Sequence, residues 1–108
     1  MKPAVFMGKS LQVIRRFPEA VRREAGYQLD RLQHGLEPSD WKPMPSIGRG
    51  VREIRIQDAG QFRIIYLATL PDRIAVLHAF RKKTGKTRKA DIHQARQALK
   101  DVLGRKGS

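Results

Sequence analysis

Apolar residues change their spacing several times along this chain, and each change marks a predicted element. Pro3 to Met7 is a short apolar run that suits an edge strand. From Lys9 to Phe17, Leu11, Val13 and Ile14 fall at roughly helical spacing and predict a short helix, which Pro18 stops. Pro18 can also open a second helix as its first-turn residue, with Glu19 near the positive end of the dipole. In that helix Val21, Ala25, Leu29 and Leu32 form one stripe, while Arg22, Arg23, Asp30 and Arg31 face outward. Gly35 is its predicted terminator. Together the two helices make a hairpin with one apolar face.

Leu36 to Gly50 carries Pro38, Pro43, Pro45, Gly48 and Gly50 and reads as a loop that connects rather than packs, with Trp41 as its large apolar anchor. Three β-type runs follow, Val51 to Gln57, Gln61 to Ala68 and Ile74 to Phe80, separated by Asp58-Ala59-Gly60 and Leu70-Pro71-Asp72 turns. They predict an antiparallel meander. In the first run Ile54 and Ile56 alternate with Glu53 and Arg55, so the charged pair projects to the opposite face. The middle run is apolar on both faces except at Arg63, which marks a central strand carrying one charge. A final amphipathic helix is expected from Lys89 to Leu103, with Ile92, Ala95, Leu99 and Val102 on its buried stripe. The predicted fold is α+β: a small twisted antiparallel sheet, an N-terminal helical hairpin and a C-terminal helix, with helices on one face and the other face free to bind. Residues 1–103 form one domain in this reading, and 104–108 a frayed basic tail.

Charge turns this outline toward a partner. Lys and Arg total 23 against 10 Asp and Glu, giving +13 at neutral pH. A domain this basic attracts polyphosphates through counterion release, whereas solubility needs a net charge of only about 2 to 8. From Lys42 to Lys89 there are twelve basic and three acidic residues, against seven and three in the first 34 positions. Arg81, Lys82, Lys83, Lys86 and Arg88 cluster after the last strand, as a phosphate-binding loop would. No cysteine is present, which excludes a disulfide framework, a thiol nucleophile and a thiolate zinc site. His34, His78 and His93 have no metal-ligand spacing, so neither metal nor cofactor is expected. With no run of 18 apolar residues and no signal-type opening, the expected place is the cytoplasm, with no membrane partner.

Arg63 is the strongest candidate for chemistry, because a guanidinium within an apolar strand costs stability unless it pairs or faces a cleft. Arg55 lies across a tight turn from it, and Glu53 is two residues from Arg55 on the same face. The three can form an ion-paired site, or Glu53 can be a structural salt-bridge partner of a neighbouring arginine. Cutting RNA without a metal uses the adjacent 2′-hydroxyl as nucleophile. The protein must then orient it, accept its proton, steady the phosphorane charge and protonate the leaving oxygen. Fixed arginines suit the charge-steadying task, and Lys82, Lys83 and Glu53 are the candidates for moving protons. Tyr66 and His78 alternate with Ile64 and Val76 and read as core or sheet-face residues.

The strings Val51-Arg52-Glu53-Ile54-Arg55, Phe62-Arg63-Ile64-Ile65-Tyr66 and Val76-Leu77-His78-Ala79-Phe80-Arg81-Lys82-Lys83-Thr84, with Ala95 in the last helix, carry a resemblance. Over nearly its whole length the chain resembles the phage-derived branch of the RelE/HigB toxin superfamily, toxins of type II toxin–antitoxin systems. That resemblance implies helices packed on a small twisted sheet, as in microbial ribonucleases. It also implies translation-dependent cleavage of messenger RNA in the ribosomal decoding site. The implied partners are the ribosome, the message and a cognate antitoxin, usually a helix-turn-helix DNA-binding protein; DNA is met only through that complex. The family's catalytic positions correspond to Glu53, Arg55, Arg63 and Lys82 or Lys83, and Arg52, Arg81, Lys86, Arg88 and Lys89 are the expected RNA contacts. RelE itself has a lysine where this chain has Glu53, and a final-helix tyrosine where it has Ile92. Two other functions remain open: a ParE-like gyrase poison that cuts nothing, for which clustered phosphate ligands have no use, and a non-catalytic RNA-binding module, for which 6% aromatic residues supply few stacking platforms.

Overall fold

The computed structural model describes residues 1–83 and 88–104. Its elements run β1 (Ala4–Phe6), α1 (Ser10–Arg15), α2 (Glu19–Gln33), β2 (Trp41–Pro43), β3 (Val51–Gln57), β4 (Gln61–Leu67), β5 (Ile74–Lys82) and α3 (Lys89–Leu103). The strands form one sheet in the order β1-β5-β4-β3-β2. β1 joins β5 in parallel and every other neighbouring pair is antiparallel. This is the α+β architecture expected from the periodicities, with β4 at the centre.

Local chemistry sets the element ends. Gly35 adopts φ 81°, a left-handed conformation that favours glycine. There its N–H donates to the Leu32 carbonyl at 3.0 Å and that of Leu36 donates to the Arg31 carbonyl at 2.9 Å, closing α2 with a Schellman turn. Of the expected tail, residues 105–108 lie outside the described part of the chain.

The expectation of one covered face and one free face is overturned. Ile54, Ile56, Phe62, Ile64, Tyr66, Ile74, Val76 and Ala79 pack against Ile14, Phe17, Val21, Ala25, Leu29 and Leu32 of the α1–α2 hairpin region. On the opposite face Val51, Ile65, Leu67, Ala75, Leu77 and Phe80 pack against Ala95 and Ala98 of α3. The cause lies in β4 and β5, whose apolar residues occupy both parities. A sheet open to water on one side alternates apolar with polar, and these strands do not. The buried side of α3 is lined by small alanines, so the helix sits close to the sheet, with Ile92, Leu99 and Val102 packed at its flanks.

Residues 36–50 also do more than connect. Trp41–Pro43 pairs with β3 as a short edge strand, and Met44 and Ile47 are buried in the core beneath α3. Apolar side chains placed between prolines carry no periodicity, yet they seal the flank of α3.

One irregularity decides which side chains meet. Between β4 and β5 the register runs Ile65↔His78 and then Tyr66↔Val76, leaving Leu77 as an extra residue. Val76 and Ala79 face the hairpin, while Leu77 lies in the α3-side core and His78 reaches α3. The bulge therefore reverses the parity of the end of β5 and turns His78, Phe80 and Lys82 toward the α3 side.

Candidate functional site

α3 covers only part of its face of the sheet, and the remainder is charged. Register sets the rows. Arg55 of β3 stands directly opposite Arg63 of β4, which stands opposite Phe80 of β5. One step toward the β3–β4 turn, Gln57 faces Gln61 and Gln61 faces Lys82. One step the other way, Lys42 of β2 faces Glu53. Side chains at these positions share a face, so Lys42, Glu53, Arg55, Arg63 and Lys82 form one cluster.

Two arginines in direct cross-strand register repel each other, so each is held by its own carboxylate. Arg63 is 6% exposed and Glu53 is fully buried. The Arg63 Nε lies 3.5 Å from Glu53 Oε1, while Nη1 donates to the Phe62 carbonyl at 3.1 Å and Nη2 to Gln61 Oε1 at 2.9 Å. Burial lowers the Arg63 pKa and Glu53 opposes that fall; the guanidinium stays cationic because arginine's ordinary value is so high. Arg55 instead donates from Nε and Nη2 to Asp40 Oδ1 at 3.1 and 2.9 Å. Its side chain is 39% exposed, just past the end of β2, where the Arg55 N–H still donates to the Asp40 carbonyl at 2.9 Å. The anticipated trio is thus a Glu53–Arg63 pair beside a separate Asp40–Arg55 pair.

Lys82 is half-buried within the same cluster. Burial and the Arg63 guanidinium hold its ammonium below the ordinary lysine value of 10.5, with Lys42 and Arg55 adding to the fall and Glu53 opposing it. Among the described residues, four cations against two carboxylates leave the site positive, which suits a phosphodiester.

The other expected contacts divide between the faces. Lys83 is exposed just past β5, and Arg88 and Lys89 are exposed at the start of α3. Arg52 projects to the hairpin side, where its guanidinium lies 3.9 Å over the Trp41 ring and 3.4 Å from Glu37 Oε2. Arg81 is on that side too, 5.4 Å over the Phe62 ring. Lys86 lies outside the described residues. Tyr66 is fully buried on the hairpin side beside Arg52, and burial pushes its phenol up, away from proton exchange near neutral pH.

Several site residues escaped the sequence reading. Lys42 sits in a three-residue strand too short to show a period, and Asp40 meets Arg55 only because β2 brings it alongside. His78, read as a core or sheet-face residue rather than a catalyst, faces α3 through the bulge, and its Nε2 lies 2.8 Å from Asp91 Oδ1. Among the described residues no group of three or more His, Asp and Glu side chains could hold a metal ion, and no helix is long and apolar enough to cross a membrane.

Compared with known families, residues 12–100 match the model for phage-derived proteins, Gp49-like (DUF891), a family associated with RelE-like toxins of toxin–antitoxin systems. No curated protein matches the chain.

Proposed function

The chain belongs to the phage-derived Gp49-like family, and from that premise we propose that it is the toxin of a type II toxin–antitoxin pair that cuts messenger RNA on the ribosome. The observation that carries this reading is the cross-strand register of Arg55 and Arg63, which gathers two guanidiniums, Lys42 and Lys82 on one partly open face. A polyanion binder needs dispersed charge. A cluster with one buried, ion-paired arginine and one half-buried lysine of lowered pKa suits chemistry on a single phosphate.

In the reaction the 2′-hydroxyl oxygen bonds to phosphorus and the bond from phosphorus to the 5′ oxygen breaks, leaving a 2′,3′-cyclic phosphate and a 5′-hydroxyl. Arg63 and Arg55 steady the charge on the phosphorane. Lys82 delivers a proton to the leaving oxygen, a task favoured by its lowered pKa. Glu53, sealed from solvent, positions Arg63 rather than exchanging protons with RNA. Lys83, Arg88 and Lys89 supply phosphate contacts at the rim. The partners are the ribosome with its message and a cognate antitoxin of the helix-turn-helix type.

Primer extension on a translated message, with and without ribosomes, tests the proposal. New breaks in the coding region, dependent on ribosomes, are expected, together with growth arrest on induced expression. Arrest without any break in RNA would move the function to a gyrase poison, and RNA binding without breaks or arrest would leave a binding module.

A further inference from the structure

We infer that His78 is the base that takes the 2′-hydroxyl proton, held in that role by Asp91; this deepens the ribonuclease reading and rests on it. Three observations converge on the imidazole. The β5 bulge gives two consecutive residues, Leu77 and His78, to the α3 side, and so brings His78, with Phe80 and Lys82 that alternate with it, onto the face of Arg63. Bulges next to active sites re-aim a side chain in this way. The ring stacks on Phe80 with centroids 5.5 Å apart, and Phe80 is the cross-strand neighbour of Arg63. His78 therefore stands at the border where the apolar half of the face, under α3, meets the charged half.

Asp91 fixes the chemistry of the ring. Its Oδ1 accepts from Nε2 at 2.8 Å, and its Oδ2 lies 3.4 Å from Arg88 Nε, so the carboxylate is held from both sides. A carboxylate partner places the proton of the neutral imidazole on Nε2 and leaves the lone pair on Nδ1. Among the described residues nothing pairs with Nδ1, and the side chain is 18% exposed. Asp91 contacts the ring from the start of α3 with Arg88 on its other oxygen, and Arg63 of β4, Lys82 of the same strand and Glu53 of β3 stand on the same face of the sheet.

The step balances as follows. The 2′-hydroxyl proton moves to Nδ1 while its oxygen bonds to phosphorus. The electron pair of the breaking bond goes to the 5′ oxygen, which takes a proton from the Lys82 ammonium. The imidazolium and the neutral lysine then exchange a proton through water, restoring the starting state.

The test uses the purified full chain on whichever RNA substrate, ribosome-bound or free, the parent cuts. His78→Gln is expected to slow single-turnover cleavage on the order of 10²- to 10⁴-fold, with RNA affinity retained, and to abolish the limb along which the rate rises with pH. The defect should persist on RNA with a bridging 5′ sulfur, a leaving group that needs no acid, and His78→Gly should regain rate with added imidazole. Should the His78 variants fail to fold by thermal melt, Asp91→Asn takes their place, with single-turnover cleavage expected to slow at retained RNA affinity and the defect to persist on the 5′-sulfur substrate. A parental rate and pH profile in His78→Gln, a defect cured by the sulfur substrate, or a parental rate in Asp91→Asn overturns the inference, leaving the pair as a strut between β5 and α3. A parent that cuts no RNA would instead defeat the ribonuclease reading itself.

Discussion

The two faces of the sheet are made by the same strands yet put arginine to opposite uses. Toward the hairpin, Arg52 and Arg81 sit over the Trp41 and Phe62 rings at the rim of a continuous apolar core. Toward α3, Arg55 and Arg63 stand in direct register, each fastened by a carboxylate, and leave a net positive cluster beside Lys42 and Lys82. The contrast has a geometric origin. The hairpin spans the apolar positions of its face, whereas the apolar core under α3 and the 44–47 segment takes in Val51, Ile65, Leu67, Ala75 and Leu77 and stops short of Arg55 and Arg63. Charge collects where that core ends. Arginine content alone is therefore a poor guide to a phosphate site, and strand parity is a good one.

The sharpest way to break this comparison is Arg63→Ala. Loss of a fixed charge aimed at the phosphorane is expected to lower message cleavage by about 10²- to 10³-fold in primer extension. Because the partner Glu53 is buried, the same change should lower stability by roughly 3 kcal/mol in chemical denaturation. Glu53→Gln added to Arg63→Ala should recover part of that stability and none of the cleavage. Full cutting by Arg63→Ala would remove the site from this face.

Phe62→Ala probes the opposite face from the adjacent position. Phe62 is 2% exposed and its ring centroid lies 4.9 Å from that of Phe17, so truncation should cost about 3–5 kcal/mol. At a temperature where the variant stays folded, its cleavage rate should remain parental. A rate loss as large as that of Arg63→Ala would show that the two faces are not functionally separate.

Much of this division was legible in the residues. β3, β4 and α3 fall where alternation and helical spacing place them, and Arg63 announces itself as a charge inside an apolar strand. The coverage of both faces was also written in β4, where Ile65 and Leu67 oppose Ile64 and Tyr66 in parity, although a count of helices on one side hid it. The bulge was not legible: an extra residue in a run as uniformly apolar as Ile74 to Phe80 alters no pattern, and its placement is decided by packing on both faces. Every parity assignment beyond Leu77 depends on it. Alternation alone therefore leaves His78 between core and sheet face, and it does not tell which faces Arg81 and Lys82 take. β2 was illegible for another reason, since three residues ending in proline have no period, and so Lys42 and Asp40 were missed.

Lys82 offers a smaller and pH-dependent effect. Its depressed pKa means that the folded chain binds fewer protons at this site than the unfolded chain. The cost of keeping it charged is present in full below the folded value, and stability rises with pH between that value and the unfolded one near 10.5. Binding a phosphate raises the lysine's pKa again, so RNA affinity should fall with rising pH earlier than an ordinary lysine would dictate. Lys42→Met removes one of the charges that depress Lys82 and should shift this fall to higher pH, measured by RNA titrations at constant salt. An unmoved midpoint would separate Lys42 from the cluster.

The smallest effect belongs to Arg81→Ala, and its smallness is the point. Arg81 is one residue from Lys82 in sequence, yet strand parity puts it over Phe62 on the hairpin face. Removing it deletes a cation–aromatic contact at an exposed position, worth about 0.5–1 kcal/mol of stability. It also deletes one charge from the general field. The expected result is an RNA affinity only slightly weaker, a log–log salt slope reduced by less than the roughly one unit that a direct phosphate contact contributes, and an unaltered cleavage rate. Lys82→Ala in the same titration should lose the full unit and the rate together. Equal losses from the two variants would mean that the end of β5 meets RNA as an undivided basic patch, and the parity reversal at Leu77 would then have no functional consequence.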